Sequence, residues 1–222
     1  LQEGNFLDFL SNIMQGALTF FYNLTVSMGF ANYGIAIILL TVAIKLLMYP
    51  LTVKQIKSMK AMQDIQPKMK ELQEKYKDNP EKRNKELANL YKDAGVNPLA
   101  GCLPLLVQMP FLIAIFFAIR DYKYALLPPS FLWIPDLALP DPTYILPVLS
   151  AATTYIQQKQ TTTEMTQQNK MMLIFMPLFI GYISFTFPGG LVLYWVMSNI
   201  FQIVQQWIMY RNNASVAREE AR

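Results

Sequence analysis

Residues 171–210 form a run of 40 positions without a single Asp, Glu, Lys or Arg. As one helix this run would be about 60 Å long at about 1.5 Å per residue, roughly twice the hydrocarbon thickness of a bilayer. It has to turn back on itself. Phe187-Pro188-Gly189-Gly190 near its middle supplies the turn, joining a residue with no N–H to donate to two that accept positive φ. Two further uncharged runs, 94–119 and 142–158, precede it. Across the 222 residues 53% are apolar and only 15% charged, against roughly 25% in an ordinary soluble domain. The chain reads as an all-α membrane protein.

Five segments approach the roughly 17 to 25 apolar residues a spanning helix needs. They are 30–53, 98–120, 144–158, 171–187 and 188–210, and the first is apolar from Tyr33 to Leu51 except at Lys45. The third has only 15 residues, so it crosses where the bilayer thins locally or where polar ends lie at membrane depth. Ahead of the spans, in 1–29, Phe6, Phe9, Leu10, Ile13, Ala17, Phe20, Phe21 and Leu24 recur at helical spacing, opposite Asn5, Asp8, Asn12, Gln15 and Thr19. This predicts an amphipathic helix lying in the outer interface, with a sixth, polar span as the alternative. No basic region precedes it and no cleavage pattern follows, so a signal peptide is not expected and the sequence reads as a mature or excised piece.

Segment 54–97 is different. Ile56, Met59, Ile65, Met69 and Leu72 are spaced at three and four, Lys77-Asp78-Asn79-Pro80 breaks the pattern, and Leu87, Leu90, Tyr91 and Ala94 resume it. A helical hairpin with one apolar stripe per arm is expected. Its 11 basic and 7 acidic residues are read either as a solvated hairpin whose charge enforces topology, or as a docking surface for lipid headgroups or ribosomal RNA. Nothing in it reads a nucleic-acid sequence. The remaining pieces are an outer loop (121–143), a cytoplasmic loop (159–170) and a tail (211–222). With the hairpin in the cytoplasm, 16 of the 19 Lys and Arg residues lie on that side, only Arg120 and Lys123 lie outside, and Lys45 lies in the membrane. That imbalance predicts an outer N-terminus and a cytoplasmic C-terminus.

Lys45 is the most informative residue. A lysine near mid-helix costs about 2.5–3.5 kcal/mol on insertion scales. Snorkelling to the cytoplasmic interface is one way to offset this, but no span offers a carboxylate partner, which leaves a water-filled groove as the other. Thr41 lies one turn before Lys45 on the same face, and Thr52 two turns after it. Around them the other spans place Gln108, Thr153, Thr154, Gln157, Gln158, Ser198, Asn199, Gln202, Gln205 and Gln206, mostly toward the cytoplasmic ends. Each amide alone reads as interhelical glue; together they predict a cavity open to the cytosol and closed outside. With no His and one Cys, Cys102, the sequence lacks a His-based acid/base site, a Cys/His metal site and a disulfide framework. It also lacks a phosphate loop and any Ser context for a protease, so no enzyme and no cofactor is expected. Its 13 Met residues suit either adaptable binding surfaces or ordinary core filling.

Several segments are familiar in combination. Gly95-Val96-Asn97-Pro98-Leu99-Ala100-Gly101-Cys102-Leu103-Pro104-Leu105-Leu106 with Gln108-Met109-Pro110, then Leu132-Trp133-Ile134-Pro135-Asp136-Leu137, Tyr144-Ile145-Leu146-Pro147 and Phe187-Pro188-Gly189-Gly190-Leu191-Val192-Leu193-Tyr194-Trp195 occur in that order. Over essentially its whole length the chain resembles the YidC-type membrane protein insertase family, with its mitochondrial and chloroplast relatives. The resemblance implies a five-helix core in the bacterial plasma membrane, a groove open to the cytosol and sideways to lipid, and a mobile cytoplasmic hairpin. It implies insertion of nascent membrane proteins, alone or beside the Sec translocon, without ATP. By the same resemblance Lys45 takes the groove position usually held by Arg, keeping the charge but not the planar fork. Thr41 takes that of a groove hydroxyl, and Trp195 that of an aromatic facing the substrate path. Some relatives bind ribosomes through a long basic tail, whereas this chain ends Arg218-Glu219-Glu220-Ala221-Arg222.

The expected substrate groove is therefore Lys45, Thr41, Gln108, Gln157, Trp195, Asn199 and Gln202. Expected partners are nascent membrane proteins, the ribosome through the hairpin, the Sec translocon and phospholipids. A small transporter or channel with an intramembrane lysine is the alternative, and a scaffold subunit a third possibility.

Overall fold

The computed structural model describes residues 6–97, 103–124, 128–162 and 167–219. Pro98 to Cys102, expected at the start of the second span, lie outside the described residues, as do Ala125 to Leu127, Thr163 to Thr166 and Glu220 to Arg222. Among the described residues the chain is helical, with one isolated bridge between Phe131 and Ile134. In order the helices are α1 (Phe6–Ser27), α2 (Tyr33–Leu47), α3 (Tyr49–Asp64), α4 (Gln66–Lys75), α5 (Pro80–Asp93), α6 (Leu103–Arg120), α7 (Ile145–Thr161), α8 (Gln167–Ser184) and α9 (Gly189–Glu219). Helix α1 packs on α2 and α6, α2 and α6 pack on α9, α9 packs on α7, and α7 packs on α8. The buried core joins Leu18 and Tyr22 of α1 to Ala36 and Ile37 of α2, Ala114 and Ile115 of α6, and Val192 and Tyr194 of α9.

The first expected span is not one straight helix. It breaks at Met48, and α3 leaves α2 at 65°. Pro50 sits in the first turn of α3, where its missing N–H costs nothing but its ring prevents continuation from the helix before it. Pro67 does the same one element later, so the first hairpin arm is two helices meeting at Ile65 rather than one. Asn79 accepts from the Lys82 amide at 3.0 Å and starts the second arm. Helix α9 continues past the expected end of its span to Glu219.

Among the described residues no single helix is long and apolar enough to cross a membrane; α2 and α3 together are, across their bend. In α7 and α9 polar stripes interrupt the hydrophobicity: α9 carries Ser198, Asn199, Gln202, Gln205 and Gln206, and α7 ends in Thr153, Thr154, Gln157 and Gln158. Helices α7 and α8 approach closely over small residues. A Cβ on Gly181 would lie 2.9 Å from that of Ala151, and the Ser150 and Ser184 hydroxyls meet at 3.0 Å. Small residues and hydroxyl pairs are how helices associate where water gives no hydrophobic drive.

Helix α1 forms, and its apolar residues divide between two faces, with Leu10, Ala17 and Phe21 of the expected stripe packed against the core. Ser11, Met14, Leu18, Tyr22 and Thr25 face α2 and α6, while Phe6, Phe9, Ile13, Phe20 and Leu24 point outward. The Tyr22 and Tyr33 rings stack at 3.9 Å, and Tyr122 and Tyr124 meet Tyr33 edge-on. Burial pushes the Tyr124 hydroxyl above its usual pKa, with Asp136 and the neighbouring tyrosines adding to the shift.

The outer loop is fastened, not loose. Phe131 and Ile134 exchange both backbone bonds, at 2.9 and 2.8 Å, and the carbonyls of Leu139 and Leu137 accept from the Gly189 and Gly190 amides at the start of α9. Asp141, 3% exposed, accepts from the amides of Leu146 and Thr143 and the Thr143 hydroxyl. Burial works to raise its pKa, but these bonds and one from the Trp133 side chain outweigh it and hold the carboxyl below the usual carboxylate value. A folded pKa below the unfolded one of about 3.9 stabilises the fold above that pH and ceases to do so as pH falls through the folded value. Asp141→Asn should therefore cost about 0.5–2 kcal/mol at neutral pH, typical of a lost helix cap, and less in acid. Thermal unfolding of both proteins in detergent between pH 7 and pH 3 checks this: their melting temperatures should converge at the acid end.

Candidate functional site

Lys45 is in the last turn of α2, where the helix dipole favours a cation, immediately before the bend. It is 7% exposed, so its side chain runs into the bundle rather than out of it. Its Nζ donates to Gln202 Oε1 of α9 at 3.4 Å. Around it lies a cavity of about 30 Å³, walled by Ile44, Lys45, Met48, Leu51, Thr52, Gln55, Gln108, Phe111 and Gln202. That volume holds a water or two. Among the described residues no carboxylate lines it, so of these the ammonium has amide and hydroxyl dipoles for company and no counter-ion. The cavity lies at the bend: its walls come from the end of α2, the start of α3, which supplies Thr52 and Gln55, and from α6 and α9.

The inner wall is tied by α6. Gln108 donates through Nε2 to the Tyr194 hydroxyl at 2.7 Å, and Ser198 also bonds Tyr194. Tyr194 is 1% exposed, so the wall residue Gln108 is held from behind by a buried, bonded phenol. Tyr194→Phe should leave Gln108 without its partner and lower stability by about 1–2 kcal/mol, the range for one unmade buried bond; chemical denaturation in detergent measures it.

Of the expected groove residues, Lys45, Gln108 and Gln202 come together at this cavity. Thr41 is buried one turn below, its hydroxyl donating to the Ile37 carbonyl at 2.7 Å. Trp195 and Asn199 lie on another face of α9, in a separate cluster with α7: the Trp195 indole donates to Thr154 Oγ1 at 2.9 Å, and Asn199 Nδ2 donates to the Thr154 and Thr153 hydroxyls at 3.0 and 3.3 Å. Gln157 does not line the cavity. A third polar group sits at the far end of α9, where the Gln160 carbonyl accepts from Gln206 at 3.2 Å and from Gln63 of α3 at 3.4 Å. Helix α9 thus carries polar side chains on two faces, and one groove does not contain them all. The sequence reading passed over Gln55, a polar wall residue, and Tyr194, which holds Gln108 from behind the wall. A signal existed for each: Gln55 is one turn beyond Thr52, and Tyr194 is one turn before Ser198 and two before Gln202.

Comparison with known proteins identifies the family. The model of the 60Kd inner membrane protein family matches residues 24–216. The chain belongs to that family. It is 43% identical over 209 residues to the membrane protein insertase YidC of Geobacter sulfurreducens, covering 93% of this chain and 37% of that one. To the YidC of Maridesulfovibrio salexigens it is 39% identical over 213 residues, covering 92% and 39%. A crystal structure of an active YidC insertase with its first transmembrane domain resolved superposes with a TM-score of 0.68 at 29% identity, over 87% of this chain and 45% of that one. The chain thus spans less than half the length of these relatives.

Proposed function

We propose that this chain is the core of a bacterial inner-membrane protein insertase and chaperone, with its N-terminus outside and its C-terminus in the cytoplasm. In this reading α2, α6, α7, α8 and α9 are the five spans, α1 lies along the outer interface, and the cavity at Lys45 is a positively charged, polar groove open to the cytosol. The observation that carries it is a lysine buried in a helix bundle beside water-sized space, without a carboxylate. A charge so placed is expensive, and its use is to attract charge of the opposite sign. An acidic segment of a nascent chain entering from the cytosol would meet Lys45, Gln202 and Gln108 and be drawn part-way across. Apolar burial of the following helix in lipid then drives release, without nucleotide hydrolysis. The α4–α5 arms touch the rest of the chain chiefly through α3, which suits docking to a ribosome or lipid surface, and a Sec translocon is the partner the family resemblance implies. The transporter alternative gains nothing from relatives whose names are all those of insertases.

Photocrosslinking tests this. A photoreactive residue at position 108 or 202 should capture a ribosome-stalled nascent membrane protein, and one at Leu178, on the outward face of α8, should capture mainly lipid. No capture from either cavity position overturns the reading.

A further inference from the structure

Two residues other than glycine have positive φ among the described residues, Leu132 at 50° and Tyr144 at 62°. Leu132 is in the outer loop and Tyr144 caps α7 directly after it, and both display large side chains to the outside, 75% and 59% exposed. Positive φ is unfavourable for such residues and persists only where the surroundings hold it. Here the Phe131–Ile134 bridge closes a turn that folds Ile134 inward and leaves Leu132 and Trp133 outward. The loop beneath is pinned to α9 through the Gly189 and Gly190 amides, so the outward side chains ride on a fixed platform.

The polar groups of this loop are occupied from within. Trp133 bonds Asp141 through its side chain, so its ring can enter hydrocarbon without stranding its N–H. Asp136 accepts from the Ala138 amide at 2.8 Å. Between Lys123 and Lys159 the only charged residues are Asp136 and Asp141, and of the two cations that precede this stretch Arg120 is paired with Asp121, so among the described residues Lys123 at the start of the loop is the one unpaired cation near it and none lies among the outward apolar side chains. The apolar surface is also continuous with the bundle's. Tyr144 meets Phe185 at 5.3 Å, and Phe185 continues the exposed apolar face of α8 that includes Leu178 and Tyr182.

Resting on the membrane reading above, we propose that this loop is a lipid anchor. Leu132, Trp133, Leu139 and Tyr144 insert into the outer leaflet at the boundary of headgroups and acyl chains, and they do so without preference for anionic lipid. The strained turns are what aim these side chains outward, and the glycine contacts transmit the depth of the loop to the start of α9.

The test uses the full chain with Cys102→Ser, reconstituted in vesicles of phosphatidylcholine alone or with phosphatidylglycerol. Nitroxide labels are placed singly on Leu132→Cys, Leu139→Cys, Leu178→Cys and Lys85→Cys, and collisions with oxygen and with a water-soluble nickel chelate are compared. Labels at 132 and 139 should favour oxygen several-fold more than the label at 85, equally in both vesicles. Label 139 stands alone if the 132 variant does not fold. If both loop labels behave like that at 85 while 178 is shielded, the anchor is overturned and the membrane reading stands. If 178 is also aqueous, both are overturned. Insertion only with phosphatidylglycerol overturns the charge-independent mode.

Discussion

Lys45→Ala should fail to insert a substrate whose outer tail is acidic, while Lys45→Arg should retain most of the activity. The groups that could replace the ammonium's attraction are absent: the cavity walls offer amides, a hydroxyl and apolar side chains, but no second cation. Two unit charges about 4 Å apart at an effective dielectric near 20 interact by about 4 kcal/mol, and a substrate tail that only approaches the groove gains part of this. At about 1.4 kcal/mol per factor of ten, the expected loss is about ten- to a hundredfold in the rate of tail translocation. Protease protection of the tail in proteoliposomes measures it. A substrate with a neutral tail should be affected far less, which separates loss of charge from loss of fold. Arginine keeps the charge on a longer, planar head, and Gln202 can still accept from it. Equal insertion by the Ala and Arg variants would show the charge to be dispensable and remove the physical basis of the proposed groove.

Gly34→Ala should be the most damaging single change on the outer side. A Cβ at this position would run into Cβ, Cγ and Cδ2 of Phe131, which is the fixed base of that side chain and not its mobile end. Phe131 cannot withdraw, because its backbone is tied in both directions to Ile134. Overpacking of this kind costs about 1–3 kcal/mol and sometimes more. The loop should lift from α2 and loosen its hold on the Gly189 and Gly190 amides. Thermal unfolding in detergent should fall for Gly34→Ala, and Phe131→Ala in the same chain should recover part of the loss. Additive effects of the two changes would show that they do not share the contact.

Hydrophobic runs and their interruptions carry most of the fold in the sequence. The uncharged 40-residue run had to turn at Pro188-Gly189-Gly190, and α8 and α9 do part there. Lys45 announced itself because it is costly, and Gln108 and Gln202 joined it because amides in apolar helices are few enough to be counted. Which face each amide takes was not legible, since it depends on neighbours: Asn199 and Gln202 are three residues apart, yet one bonds α7 and the other α2. The bend at Met48 was hidden by continuous hydrophobicity across Tyr49-Pro50-Leu51, and only the proline's place in the first turn of the next helix reveals it. Helix α1 shows the same limit: Phe6, Phe9, Ile13, Phe20 and Leu24 of its apolar stripe stay exposed while Leu10, Ala17 and Phe21 pack on the core, a division set by where α2 and α6 lie.

The break at Met48 has a mechanical consequence. Beyond it α3 is held near its end, where Gln63 reaches the last turn of α7 and the Lys60 ammonium lies 5.9 Å from the Tyr210 ring. Helix α3 is thus a short beam clamped at both ends, and the paired α4 and α5 arms extend from it like an oar from a rowlock at Ile65. The face that brings Thr52 and Gln55 to Lys45 is therefore braced at its two ends, against α2 on one side and against α7 and α9 on the other, rather than hanging from the bend alone.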